Sequence, residues 1–126
     1  MADVTPIIPA GRQVIEAYGN GRFTISGEVR EGSVIVLTEE TLTWDVSAFG
    51  ELSLESFHGL LAKGVPVDIL LLGCGPRMAL VPSDLRRALR AEGMVVEAMD
   101  TGAACRTYNI LLAEERRVAA ALIAVE

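Results

Sequence analysis

Met99-Asp100-Thr101-Gly102-Ala103-Ala104-Cys105-Arg106-Thr107-Tyr108-Asn109-Ile110-Leu111-Leu112 joins one apolar run, Met94-Val95-Val96, to a final one from Val118 to Val125. Ala104, Cys105, Tyr108, Leu111 and Leu112 recur at i, i+1, i+4, i+7 and i+8, the apolar stripe of a helix. Thr101 is the expected N-cap, because a hydroxyl there can accept from an otherwise orphaned backbone N–H. Asp100, just ahead, places its charge at the positive end of the helix dipole. The stretch therefore predicts strand, helix, strand.

The region before it repeats that layout. Val67-Asp68-Ile69-Leu70-Leu71-Leu72 is nearly continuous apolar sequence, as in a strand covered on both faces. Gly73-Cys74-Gly75-Pro76-Arg77 reads as a loop. A helix follows with Ser83 as its cap and Leu85, Ala88 and Leu89 inward, stopped by Gly93, and then comes a strand over 95–98. Alternating strands and helices imply helices packed on a largely parallel sheet. Upstream, Ser53 is expected to cap a short helix with Leu54, Phe57 and Leu61 inward and Gly64 at its end.

The first half has strand character. A strand over 14–18 meets Gly19-Asn20-Gly21, a hairpin signal because Asn and Gly tolerate positive φ. Residues 22–26 alternate, Arg30-Glu31-Gly32 reads as the next turn, 33–37 is β-branched, and Leu42, Trp44 and Val46 alternate with polar residues. The expected fold is α/β. Antiparallel N-terminal strands join a mixed central sheet with flanking helices, in a three-layer single domain over 11–126. Residues 1–10, with prolines at 6 and 9, are expected to form a loose arm.

At 126 residues, with 51% hydrophobic and 22% charged residues, the chain has ample material for one core. Aromatics are 5%, so that core is aliphatic. Seventeen acidic against eleven basic residues give a net charge of -6, and Lys63 is the one lysine, which argues against binding nucleic acid. No apolar stretch reaches membrane-spanning length, and the N-terminus lacks the pattern of a secretory or mitochondrial leader. Two cysteines without a framework spacing suit a reducing compartment. The expectation is a soluble cytoplasmic domain.

The candidate binding site is the crevice expected between the Gly73-Gly75 loop and the Asp100-Thr101 cap, with Arg77, Cys105, Arg106 and Asn109 beside it. Glycines after a central strand let backbone approach an anion, and Arg77 supplies charge. A dinucleotide fingerprint is incomplete, because Met78 stands where the third glycine belongs and no helix opens until Ser83. Cys105 near a helix N-terminus is a potential nucleophile with His58 as base, although its place on the apolar stripe favours a core role. Cys74, Cys105 and His58 show no metal-ligand spacing. In the structural account of the same residues, Arg106 offsets Asp100 and Asn109 bonds a neighbouring loop. No cofactor, metal or catalytic residue is assigned, and the balance leans away from an enzyme.

The pattern resembles a family of small bacterial and archaeal proteins of unknown function related to mitochondrial respiratory complex I assembly factor three. The resemblance rests on Asp100-Thr101, Ala104-Cys105, Thr107-Tyr108-Asn109, Leu111, Glu114 or Glu115, Arg117 and Ala119-Ala120-Ala121-Leu122. Leu71-Leu72-Gly73-Cys74-Gly75 also fits, although the family often has Thr at the place of Cys74. It covers the chain from about Gln13 onward. It implies a compact α/β domain without an established reaction or cofactor, and, from the mitochondrial members, a role in binding protein partners during assembly of the NADH:ubiquinone oxidoreductase. The leading expectation is therefore a non-catalytic binding or assembly-factor-like domain with a protein partner of unfixed identity. The runner-up is a small-molecule-binding protein or enzyme using the crevice, and exposed sheet edges leave a homodimer open.

Overall fold

The computed structural model of the chain describes residue 8 and residues 10–126. The expected arm over 1–10 therefore lies almost entirely outside the described residues. Strands β1 (Ile15–Gly19), β2 (Arg22–Ile25) and β3 (Glu28–Glu31) form an antiparallel three-stranded sheet. Gly19 pairs with Arg22 across a two-residue turn in which Asn20 and Gly21 both have positive φ, 54° and 72°. That backbone twist matches the twist of the flanking strands.

The second turn differs from expectation. Chain reversal falls at Ser26-Gly27, and Arg30 and Glu31 lie within β3. Serine is an uncommon residue at positive φ, and tertiary bonds hold it there. Its hydroxyl accepts from the Val14 N–H (2.9 Å) and donates to the Arg12 carbonyl (3.1 Å), while Glu16 Oε1 accepts from the Gly27 N–H (2.7 Å).

Strands β4 (Val34–Val36) and β5 (Thr41–Thr43) leave this meander for a second sheet with β6 (Ile69–Gly73), β7 (Val95–Met99) and β8 (Val118–Leu122), in the order β5-β4-β8-β6-β7. β6 runs parallel to both β7 and β8, whereas β4 pairs antiparallel with β8 and with β5. The sheet is mixed, as expected. Every residue of β8 is buried, which explains its run of alanines: small side chains let layers approach from both faces.

Helices α1 (His58–Ala62), α2 (Ser83–Ala91) and α3 (Thr101–Ala113) divide between the two faces. On one face Leu85 and Leu89 of α2 and Leu60 of α1 pack with Trp44, Phe57, Leu70, Leu72 and Cys74. On the other, Ala104, Cys105, Tyr108 and Leu112 of α3 pack with Phe23 and Ile25 of the small sheet and with Leu71. The result is three layers around the five-stranded sheet.

Three local expectations shift. The segment from Ser53 begins as a 3-10 turn, Leu54–Phe57, before α1. Its tighter winding advances the inward face, so Leu60 is buried in place of Leu61 and Leu54 is exposed. Ser83 is the first helical residue of α2, with Pro82 in the cap position. Thr101 likewise is the first residue of α3, and the cap is Asp100, whose Oδ1 accepts from the Ala103 N–H at 2.9 Å.

Candidate functional site

The crevice at the C-terminal end of β6 lies where successive crossovers turn to opposite sides of that strand, the place where open α/β sheets bind ligands. Here the chain's own groups occupy it. The Thr101 N–H donates to the Gly75 carbonyl (2.8 Å), and the Thr101 hydroxyl accepts from the Gly75 N–H (3.0 Å) and donates to the Ile123 carbonyl (2.7 Å). Cys74 N–H bonds Met99 O (2.8 Å), and Ile123 N–H bonds Gly73 O (3.0 Å). Thr101 is completely buried. A β-carbon on Gly73 would come within 3.0 Å of both the Thr101 hydroxyl and Leu122, so glycine is the residue that lets α3 sit this close to β6.

Around this knot the remaining side chains point elsewhere. Arg77 is exposed on the loop after Gly75, beside Met78 and Leu80, which are 55% and 82% exposed. Arg106 does not offset Asp100. Six residues on, it lies about 240° further around the helix, and its Nη1 instead donates to the Tyr18 hydroxyl at 3.0 Å.

Asn109 bonds a strand, not a loop. Its Oδ1 accepts from the Ile15 N–H (3.0 Å) and its Nδ2 donates to the Ile15 carbonyl (2.7 Å). The amide thereby stands in for a strand neighbour on the open edge of β1. Tyr108, completely buried, donates from its hydroxyl to the Gln13 carbonyl (2.9 Å), with the Leu37 carbonyl at 3.2 Å.

Cys105 is 2% exposed, and loss of hydration for the thiolate pushes its thiol up to about 12. A helix N-terminus lowers a thiol only where the anion keeps polar surroundings, and Cys105 sits among Ile15, Leu71 and Leu122. Burial also raises the Cys74 thiol. Cys74 lies on the opposite face of the sheet from Cys105, and so does α1, whose first residue, His58, is exposed. The structure thus brings together Gly73, Gly75 and Thr101, keeps Asp100 at the helix cap, and separates His58 from Cys105. Among the described residues no three His, Cys, Asp or Glu side chains are gathered for a metal ion.

A larger surface groove lies elsewhere, at the β5 edge. It encloses about 760 Å³, with Trp44 and Leu42 among its lining and Arg30, Asp45, Glu55 and His58 around them. The alternation of Leu42 and Trp44 pointed to a half-buried strand, but the sequence held no sign that β5 would be an edge. That is set by which strands pair.

A mixed five-stranded sheet between two layers, one carrying a second small sheet, is the architecture on which these features sit. The chain belongs to the family of proteins of unknown function DUF498/DUF598, whose pattern matches residues 15–123. It is 40% identical over 114 residues to an uncharacterized protein of Rhodobacter capsulatus, covering 90% of this chain and 86% of that protein. It is 36% identical over 112 residues to NADH dehydrogenase (ubiquinone) 1 alpha subcomplex assembly factor 3 of Xenopus tropicalis. That match covers 86% of this chain but 60% of the assembly factor, so the chain spans about three-fifths of that relative's length. Among solved structures, an outer membrane protein from Bartonella henselae superimposes with a TM-score of 0.84 at 37% identity, covering 95% of this chain and 100% of that one. No helix among the described residues is long and apolar enough to cross a membrane.

Proposed function

We propose that this domain is a non-catalytic, assembly-factor-like module that binds protein partners during maturation of a respiratory NADH dehydrogenase. The observation that carries this reading is the 36% identity to assembly factor 3 across 86% of the chain. Two features of the molecule agree with it. The polar atoms of the Gly73–Thr101 crevice are already bonded to one another, and the Cys105 thiol stays protonated at neutral pH. Meanwhile Met78, Leu80, Val29 and Ile110 are large apolar side chains left more than half exposed. The proposed setting is the cytoplasm, where two unpaired, buried thiols remain reduced.

Deleting the gene in its host and following assembled NADH:ubiquinone oxidoreductase on native gels tests the reading. Less mature complex, restored by re-expression of the intact chain, is the expected result. An unchanged amount and activity of the complex would overturn it.

A further inference from the structure

The five-stranded sheet has two edges, β7 and β5. On β7 the guanidinium of Arg86, from α2, reaches across the edge and donates to the Val96 carbonyl at 2.9 Å, placing a charged side chain there. On β5 the bonds from Trp44 N–H to Ser33 O and from Leu37 N–H to Glu40 O set the phase of the ladder. With Leu42 opposite Ile35, the N–H and C=O groups of Thr41 and Thr43 point away from β4, and none of them bonds another described residue.

The groove of about 760 Å³ wraps this open edge. One wall is Arg30. It lies opposite Phe23 in the small sheet and so points the same way, toward the core. Its Nε is buried without an acceptor, while its Nη2 reaches Glu28 at 3.4 Å. The other wall is the segment around Glu55 and His58, fixed to the sheet by the Trp44 indole, which donates to the Ser56 carbonyl at 2.7 Å. Lys63 is paired with Glu40 (3.0 Å), and the Glu51 carboxylate accepts from the Ser47 and Ala48 N–H groups, which hold it below the usual carboxylate range. Asp45 and Glu55 have no ion-pair partner among the described residues.

We infer that β5 is the docking edge of this domain, and that its occupant is an extended segment of a partner protein bearing Lys or Arg side chains. The segment adds as a sixth strand on Thr41 and Thr43. Its alternating side chains reach Asp45 and Glu55. Main-chain bonds supply affinity in strand addition, and side-chain pockets supply choice of partner. The inference rests on the partner-binding reading above and names the surface and the chemistry.

The test uses the full chain in its host cell, with a photo-crosslinking residue at His58 and, as a control, at Leu80. Light is expected to capture a segment rich in Lys or Arg at position 58. Thr43→Pro removes the outward N–H without touching the bonds to β4 and should cut the yield about tenfold. Thr43→Val, which keeps that N–H, should not, and the charge reversal Asp45→Lys with Glu55→Lys should. Native circular dichroism of each variant guards against loss of fold. Capture that survives Thr43→Pro, an acidic or neutral captured segment, a second copy of this chain at position 58, or capture at position 80 alone would overturn the β5 assignment and leave partner binding standing. Absence of any captured protein at both positions would overturn both.

Discussion

Cys105 shows how a residue's chemistry is set by what surrounds it. The folded chain holds its proton up to about 12, whereas the ordinary value, 9.0, applies once the chain unfolds. Between those values the native state binds one more proton than the unfolded state, so stability is intact below the lower value and falls as pH rises. One such group contributes a slope of about 1.4 kcal/mol per pH unit. Urea midpoints of the wild type and Cys105→Ala, compared between about pH 8 and 11, should diverge in slope, with the variant less sensitive to alkali. Equal slopes would mean that the thiol is hydrated. Tyr108, also raised by burial, is common to both proteins and cancels in the comparison.

At the scale of elements, the start of α3 is a knot of three segments: the loop after β6, the helix, and the residue after β8. Thr101 joins them through one hydroxyl that both donates and accepts. Thr101→Val keeps the shape but orphans the Gly75 N–H and the Ile123 carbonyl, each at a cost of about 1–3 kcal/mol when buried. A loss of about 2–5 kcal/mol in urea unfolding is expected; a change below about 1 kcal/mol would show that water replaces the hydroxyl. The sequence marked Thr101 as important and misjudged its task. A Ser or Thr at the head of a helix reads as a cap, and nothing local reveals that Asp100 takes that duty or that β8 ends alongside. The same holds at Ser26-Gly27, where the turn depends on Arg12, Val14 and Glu16. By contrast Asn20-Gly21 was legible, because those two residues favour that backbone on their own.

For the whole molecule, Asn109 is a tie between layers. Its side-chain amide fastens β1, and with it the small sheet, to α3 by two bonds. Asn109→Ala should cost about 1–3 kcal/mol. It should also speed amide exchange through β1 to β3 more than through β6 and β8, because the small sheet then loses an anchor to the main body. Uniform acceleration across both sheets would show that the layers unfold as one unit. Fold class was legible in the chain because it rests on local periodicity: the apolar run of β6, the stripe of α3, and the alternation of strand and helix. The grouping of strands was not. β4 and β5 read as continuations of a meander, yet β4 pairs with β8, more than eighty residues later, and carries β5 with it as the edge strand. The order β8-β6-β7 and its crossovers put Cys74 and Cys105 on opposite faces and closed the crevice with Thr101, while the pairing of β5 with β4 alone left the Thr41 and Thr43 backbone groups without partners among the described residues. Elements follow from side-chain pattern and backbone preference within a few residues; which edge stays open depends on contacts between distant segments, and only the assembled layers decide it.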